Sequence, residues 1–205
     1  MSNEEEIPVT LIEKEFRHLK NRIKSTRKSR IEASKRIRKK NDFYEKVTNF
    51  YSLIILILSI WFLNQTGNEG IVATKILLVL SLSLTFVTLF INSRNYKERA
   101  SNFEANYQQL DVLVNKIDRF HANGEELNVE KLKEFQREYE RLIIGKENHT
   151  NIDFYISNPN NKKEFQFNIY FYYVKTFLKN TMIALYPIIL LLIIFIFSKT
   201  LNFLK

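Results

Sequence analysis

The 205-residue chain contains no cysteine. Disulfides, zinc–thiolate sites and cysteine nucleophiles are excluded together, and several enzyme classes go with them. Glycine is nearly as scarce: the four present, Gly67, Gly70, Gly124 and Gly145, punctuate turns, and none belongs to a Gly-rich loop that could cradle phosphate. Of the three histidines, His18 and His121 lie far from His149, so no second ligand pair accompanies any of them. No catalytic residue, cofactor or metal site is assigned on these grounds, and a non-enzymatic role is expected.

What remains is strongly segregated. A mean hydropathy of −0.21 would suit a soluble protein. It averages over three apolar runs, "VTNFYSLIILILSIWFLN" (47–64), "IVATKILLVLSLSLTFVTLFI" (71–91) and "TMIALYPIILLLIIFIFS" (181–198), set in highly polar sequence. An α-helix of about 18–21 residues rises about 27–31 Å, the thickness of a bilayer's hydrocarbon core. Each run therefore reads as a membrane-spanning helix. The first lies behind a long charged segment, too far along the chain to be a signal peptide.

The charge is local too. Residues 14–40 hold thirteen Lys/Arg against Glu15 and Glu32, a net of +11 that exceeds the +9 of the whole chain. Basic residues next to the first span, Arg36, Arg38, Lys39 and Lys40, place the N-terminus in the cytoplasm by the positive-inside rule. Arg94, Lys97 and Arg99 return the chain to the same side after the second span, and Lys162, Lys163, Lys175 and Lys179 precede the third. The short link "QTGNEGIVATK" then forms the outer turn of a helical hairpin. No nucleic-acid-binding signature accompanies the basic segment, so direct nucleic-acid binding is not expected. Anionic headgroups are the preferred partner, each nearby cation contributing about 1 kcal/mol.

Periodicity shapes the polar regions. Phe16, Leu19, Ile23, Thr26, Arg30, Ala33, Ile37, Lys40, Tyr44 and Val47 alternate at spacings of three and four, a heptad seam with polar interruptions. Ala100, Phe103, Tyr107, Leu110, Val114 and Ile117 repeat it, and the two seams can pair as a cytoplasmic coiled coil. A third helix is marked by Asn128 as N-cap, by the stripe Val129, Leu132, Phe135, Tyr139 and Leu142, and by Gly145 as stop. The aromatic run "EFQFNIYFYYVK" fits a juxtamembrane belt, with a short strand at Phe165, Phe167 and Ile169 as the alternative. The expected fold is an all-α integral membrane protein: a basic cytoplasmic segment (1–46), a transmembrane hairpin (47–91), a cytoplasmic helical region (92–180) and a third membrane helix (181–205).

Two features invite functional readings. In the second span Thr74, Ser81, Thr85, Thr88 and Asn92 share one helix face. Small hydroxyl residues serve helix packing; in an oligomer the same stripe can line a conduit that hydrates. The second feature is "KENHTNIDFY" (146–155). His149 and Asp153, four apart with Glu147 nearby, could serve a metal or an acid–base pair. Thr150 and Asp153 also make "TNID", a capping box with Asp in place of Glu or Gln. The reading preferred for Glu147, Asn148, His149, Thr150 and Asp153 is a rigid corner that sets the cytoplasmic bundle against the last membrane helix. The sequons at Asn64 and Asn148 hug the bilayer or fall on the cytoplasmic side, and neither is a convincing glycosylation site.

The basic helix with "SRIEASKRIRKKNDFY", the hairpin, the return helix "RNYKERASNFEANYQQLDVL" and "EYERLIIGKENHTNIDFY" together resemble the bacterial SLATT family, the SMODS and SLOG associating two-transmembrane effector domains, over roughly residues 15–200. The resemblance implies an inner-membrane, multi-pass effector of an antiphage or abortive-infection system. It would form oligomers and make a pore or disrupt the membrane. The signal would come from an operon-encoded sensor, a nucleotide-second-messenger synthase or a reverse-transcriptase module, with a cyclic nucleotide among the candidate signals. The alternative is a non-conducting scaffold that recruits a partner enzyme to the bilayer.

Overall fold

Between Val9 and Trp61 the sequence has neither glycine nor proline, and this stretch is one helix, α1 (Val9–Trp61), of 53 residues. It takes in both the basic segment and the first apolar run. A 3₁₀ turn (Phe62–Asn64) leads to α2 (Gly67–Asn92), α3 (Tyr96–Ala122), α4 (Val129–Ile143), α5 (Asn151–Ser157), α6 (Pro159–Glu164) and α7 (Gln166–Phe203). The computed structural model describes residues 9–64 and 66–203, and among them no strand occurs. The chain is an all-α membrane protein. Phe165 is the turn between α6 and α7, and Phe167 and Ile169 lie in the first turn of α7, because three alternating residues without a partner strand cannot satisfy their backbone. The last helix begins at Gln166, ahead of the apolar run, so Pro187 lies well inside it.

The chain divides into two compact units, each assembled from separated stretches. One takes the residues up to Lys39 together with Lys97–Ile169, the other Lys40–Tyr96 and the residues from Tyr170 onward.

In the first unit most residues of the two heptad seams are buried, with Thr26 and Tyr107 half-buried, and α4 completes a three-helix core. Ile12, Phe16, Leu19 and Ile23 of α1 meet Leu110, Leu113, Val114, Ile117 and Phe120 of α3 and Leu132, Phe135 and Tyr139 of α4. Phe16, Phe120 and Phe135 form a triangle with centroids 5.6–6.2 Å apart, a spacing at which tilted rings attract. Ion pairs flank it. Lys20 pairs with Asp118 at 2.5 Å and Arg27 with Asp111, so a step of seven along α1 matches a step of seven back along α3, as antiparallel helices require. Asn128 caps α4, its side chain accepting from the Lys131 amide at 2.8 Å. Gly145 follows α4 with φ 70°, the left-handed conformation that glycine adopts without strain.

In the second unit, α2 buries Ala73, Leu80 and Leu84. The Tyr44 and Tyr96 rings stack at 5.6 Å with the Lys40 ammonium 4.5 Å above Tyr96. A cavity of about 300 Å³ is lined from all three apolar helices, by Tyr51 and Leu58, by Leu80 and Ser83, and by Tyr186 and Pro187. Among the described residues three helices are long and apolar enough to cross a membrane. Leu53, Trp61, Phe86, Ile188 and Leu192 are all exposed, a surface matched to lipid rather than to water.

Candidate functional site

The corner at 146–157 is where the first unit concentrates its polar chemistry. Thr150 is the N-cap of α5 and forms a capping box with Asp153. The Thr150 amide and hydroxyl both donate to Asp153 Oδ2 at 2.8 Å. Asp153 is 1% exposed, and its other contacts come from far along the sequence: Arg36 Nε and Nη2 reach its two oxygens at 2.7 and 3.0 Å, a bidentate pair. Glu147 is held twice. Arg99 embraces its carboxylate, with Nε 2.8 Å from Oε2, and Arg30 Nη1 donates to its backbone carbonyl at 3.1 Å. Ser29 Oγ lies 3.4 Å from Ser157 Oγ. The corner is thus docked on α1 through Ser29, Arg30 and Arg36, and on α3 through Arg99.

The electrostatics follow from these neighbours. Arg99 holds the Glu147 carboxyl below its ordinary value. Burial, reinforced by Arg30, pushes His149 down, which favours the neutral imidazole, and its Nδ1 is buried with no partner among the described residues. Arg30 is 2% exposed; burial lowers it too, and its Nε finds no acceptor there. Among the described residues no group of three His, Asp or Glu side chains is placed to hold a metal ion. Asp153 and Glu147 are each already committed to a guanidinium, which leaves neither as a free base.

Sequence reasoning grouped Glu147, Asn148, His149, Thr150 and Asp153 but missed their partners. By sequence Arg36 and Arg99 are orientation charges only, and Arg30 an interruption of a seam. The one signal available was Arg30 itself, a guanidinium at a seam position between Ile23 and Ile37. Asn106, also buried, donates to the Leu142 carbonyl at 2.6 Å and went unremarked. Of the other basic residues, Arg38 pairs with Glu104, Arg94 lies 4.7 Å over the Phe90 ring, and Lys39 and Lys97 are exposed.

The hydroxyl stripe is satisfied within its own helix. Thr74 donates to the Gly70 carbonyl, Thr85 to Ser81 and Thr88 to Leu84, each at 2.8 Å, and Ser81 to Leu78 at 3.0 Å. Thr74, Thr85 and Asn92 are exposed, with Ser81 and Thr88 half-buried.

Residues 12–199 match the family described as SMODS and SLOG-associating 2TM effector domain family 5. The chain belongs to this family, which makes it a membrane effector of conflict systems for which an associated partner protein is plausible. No curated protein and no solved structure matches the chain.

Proposed function

We propose that this family member is a non-enzymatic effector of a bacterial antiphage or abortive-infection system, which oligomerises in the inner membrane and opens or disrupts the bilayer when an operon-encoded sensor signals. The N-terminus and residues 92–180 lie in the cytoplasm, on the side where Arg38–Lys40, Arg94–Arg99 and Lys162–Lys179 place them. What supports the reading is one juxtaposition. Three membrane-length helices with exposed apolar surfaces share a chain with a separate helical unit built around α1, α3 and α4. A nucleotide second messenger or a reverse-transcriptase module supplies the signal, which acts by stabilising one arrangement of that unit over another. In the oligomer the face of Thr74, Ser81, Thr85, Thr88 and Asn92 lines the conduit.

The scaffold reading keeps one specific support: the stripe hydroxyls are bonded to their own backbone and need no water. Purified full-length protein in liposomes separates the two. Dye or ion release supports the effector, and recording membrane potential in cells with and without the operon partner extends the test. Depolarisation confined to cells with an activated partner is the expected result. An intact barrier under activating conditions in both settings would refute the effector and leave the scaffold.

A further inference from the structure

The first unit is not held together uniformly along α1 and α3. At one end the contact is apolar, through Ile12, Phe16, Leu19 and Ile23 against Leu110, Leu113, Ile117 and Phe120. Toward the ends that run into the apolar helices Ile37 and Phe103 stay buried but are joined by small and polar residues: Ser29, Arg30, Ala33 and Ser34 on α1, Ala100 and Asn106 on α3. The corner sits on this more polar half. Its attachments are chiefly ionic or hydrogen-bonded, and α5 buries only Ile152 and Asp153. The closed arrangement also leaves Arg30 Nε and His149 Nδ1 buried without partners among the described residues, a cost that water would remove if the corner lifted. Both ends of the segment have a natural break: Gly145 at φ 70°, with nothing within 4 Å of where a side chain would start, and Asn158, extended between α5 and α6.

We propose that segment 146–157 is a releasable clasp, an autoinhibitory contact that ties α1 to α3 through Arg30, Arg36 and Arg99 and lets go when the protein is activated. That its release permits membrane opening rests on the effector reading above; that the clasp exists does not.

The absence of native cysteine and the 3.4 Å between Ser29 and Ser157 hydroxyls provide the test. In full-length S29C/S157C reconstituted in liposomes, oxidation is expected to form an intrachain disulfide and to lower triggered dye release at least tenfold, with reductant restoring it. Failure of the disulfide to form, or measurable dye release that is equal from oxidised and reduced protein, would overturn the proposal. If neither form releases dye, the effector reading fails, and the clasp is judged by the rate at which a maleimide labels the single thiol of the S157C variant. Labelling should be at least tenfold faster when Arg36→Ala and Arg99→Ala are added; an unchanged rate would show that those arginines hold nothing shut.

Discussion

The Arg36–Asp153 pair offers the sharpest test of how the corner is held. Asp153 is 1% exposed and accepts from Arg36 at 2.7 and 3.0 Å and from Thr150 twice at 2.8 Å, while the Arg36 side chain is 24% exposed. Removing one partner of a fully buried pair costs about 3–5 kcal/mol, chiefly because the other charge is stranded. Since Arg36 keeps some contact with water, Arg36→Ala is expected to cost about 2–3 kcal/mol. Asp153→Asn, which keeps the shape and an acceptor for the cap but loses the charge, should cost a similar amount. If the pair acts as a unit, the double variant costs little more than either single one, giving a coupling of about 1.5 kcal/mol or more. Amide hydrogen exchange over 151–157 in the full chain in detergent reads opening of α5 separately from global unfolding. The single variants should exchange about 30- to 150-fold faster, tenfold for every 1.4 kcal/mol. Additivity within about 0.5 kcal/mol, or unchanged protection in Arg36→Ala, would refute the account of the corner as ionically docked.

Other predictions bear on the same unit and on the membrane helices. Because His149 is lowered below 6.5, chiefly by burial, the folded corner favours neutral imidazole: its contribution is complete above pH 6.5 and is lost as pH falls through the lower folded value. Glu147, lowered below 4.5 by Arg99, contributes above pH 4.5 and loses that contribution only in more acid solution. Exchange protection at 151–157 should therefore fall in two stages on acidification. His149→Gln should abolish the first stage; persistence of that stage would assign it elsewhere. Phe135→Ala removes a fully buried ring from the aromatic triangle and should destabilise the first unit by about 3–5 kcal/mol in denaturant unfolding, whereas a loss below 1 kcal/mol would mean that the core readily collapses into the space. Replacing Ser81, Thr85 and Thr88 together by leucine should abolish ion leakage in liposomes while leaving assembly intact, and unchanged conductance would remove the stripe from the conduit.

Much of the fold was legible because it depends on short-range regularities. The seam from Phe16 to Tyr44 and the seam from Ala100 to Ile117 repeat every three or four residues, and burial follows them nearly throughout. Asn128, Gly145 and Thr150 mark helix ends by local chemistry that needs no knowledge of the rest of the chain. The partners of the corner were not legible. Arg36 and Asp153 are separated by 117 positions and Arg99 and Glu147 by 48, and nothing local tells which of thirteen cations in 14–40 will meet a carboxylate. Within the basic segment Lys20, Arg27, Arg36 and Arg38 are engaged with acids of α3 and α5, a division of its cations that the sequence does not reveal. The start of α7 at Gln166 is not legible for a different reason: an apolar run marks where lipid can be met, not where the helix begins.

The third apolar helix changes how the hairpin itself must be viewed. The family description names two transmembrane segments, yet the matched residues, 12–199, take in most of α7. Pro187 lacks an amide hydrogen and leaves the Ile183 carbonyl without its usual donor, an irregularity that membrane helices tolerate where neighbours cover the backbone. Beside it, the Tyr51 hydroxyl of α1 donates to the Ala184 carbonyl, and the Tyr51 and Tyr186 rings meet edge to face at 6.1 Å. Hence α7 packs with the hairpin as part of one unit. That packing divides α2 between two roles. Leu80, on its buried face, lines the same cavity as residues of α1 and α7, while the hydroxyl face, one residue out of phase and so about 100° around the helix, turns elsewhere. Whatever meets Thr74, Thr85 and Asn92, which are exposed in the single chain, has to come from outside it, as lipid, water or another copy. The conduit proposed above would on that account be a property of several copies together rather than of the single chain.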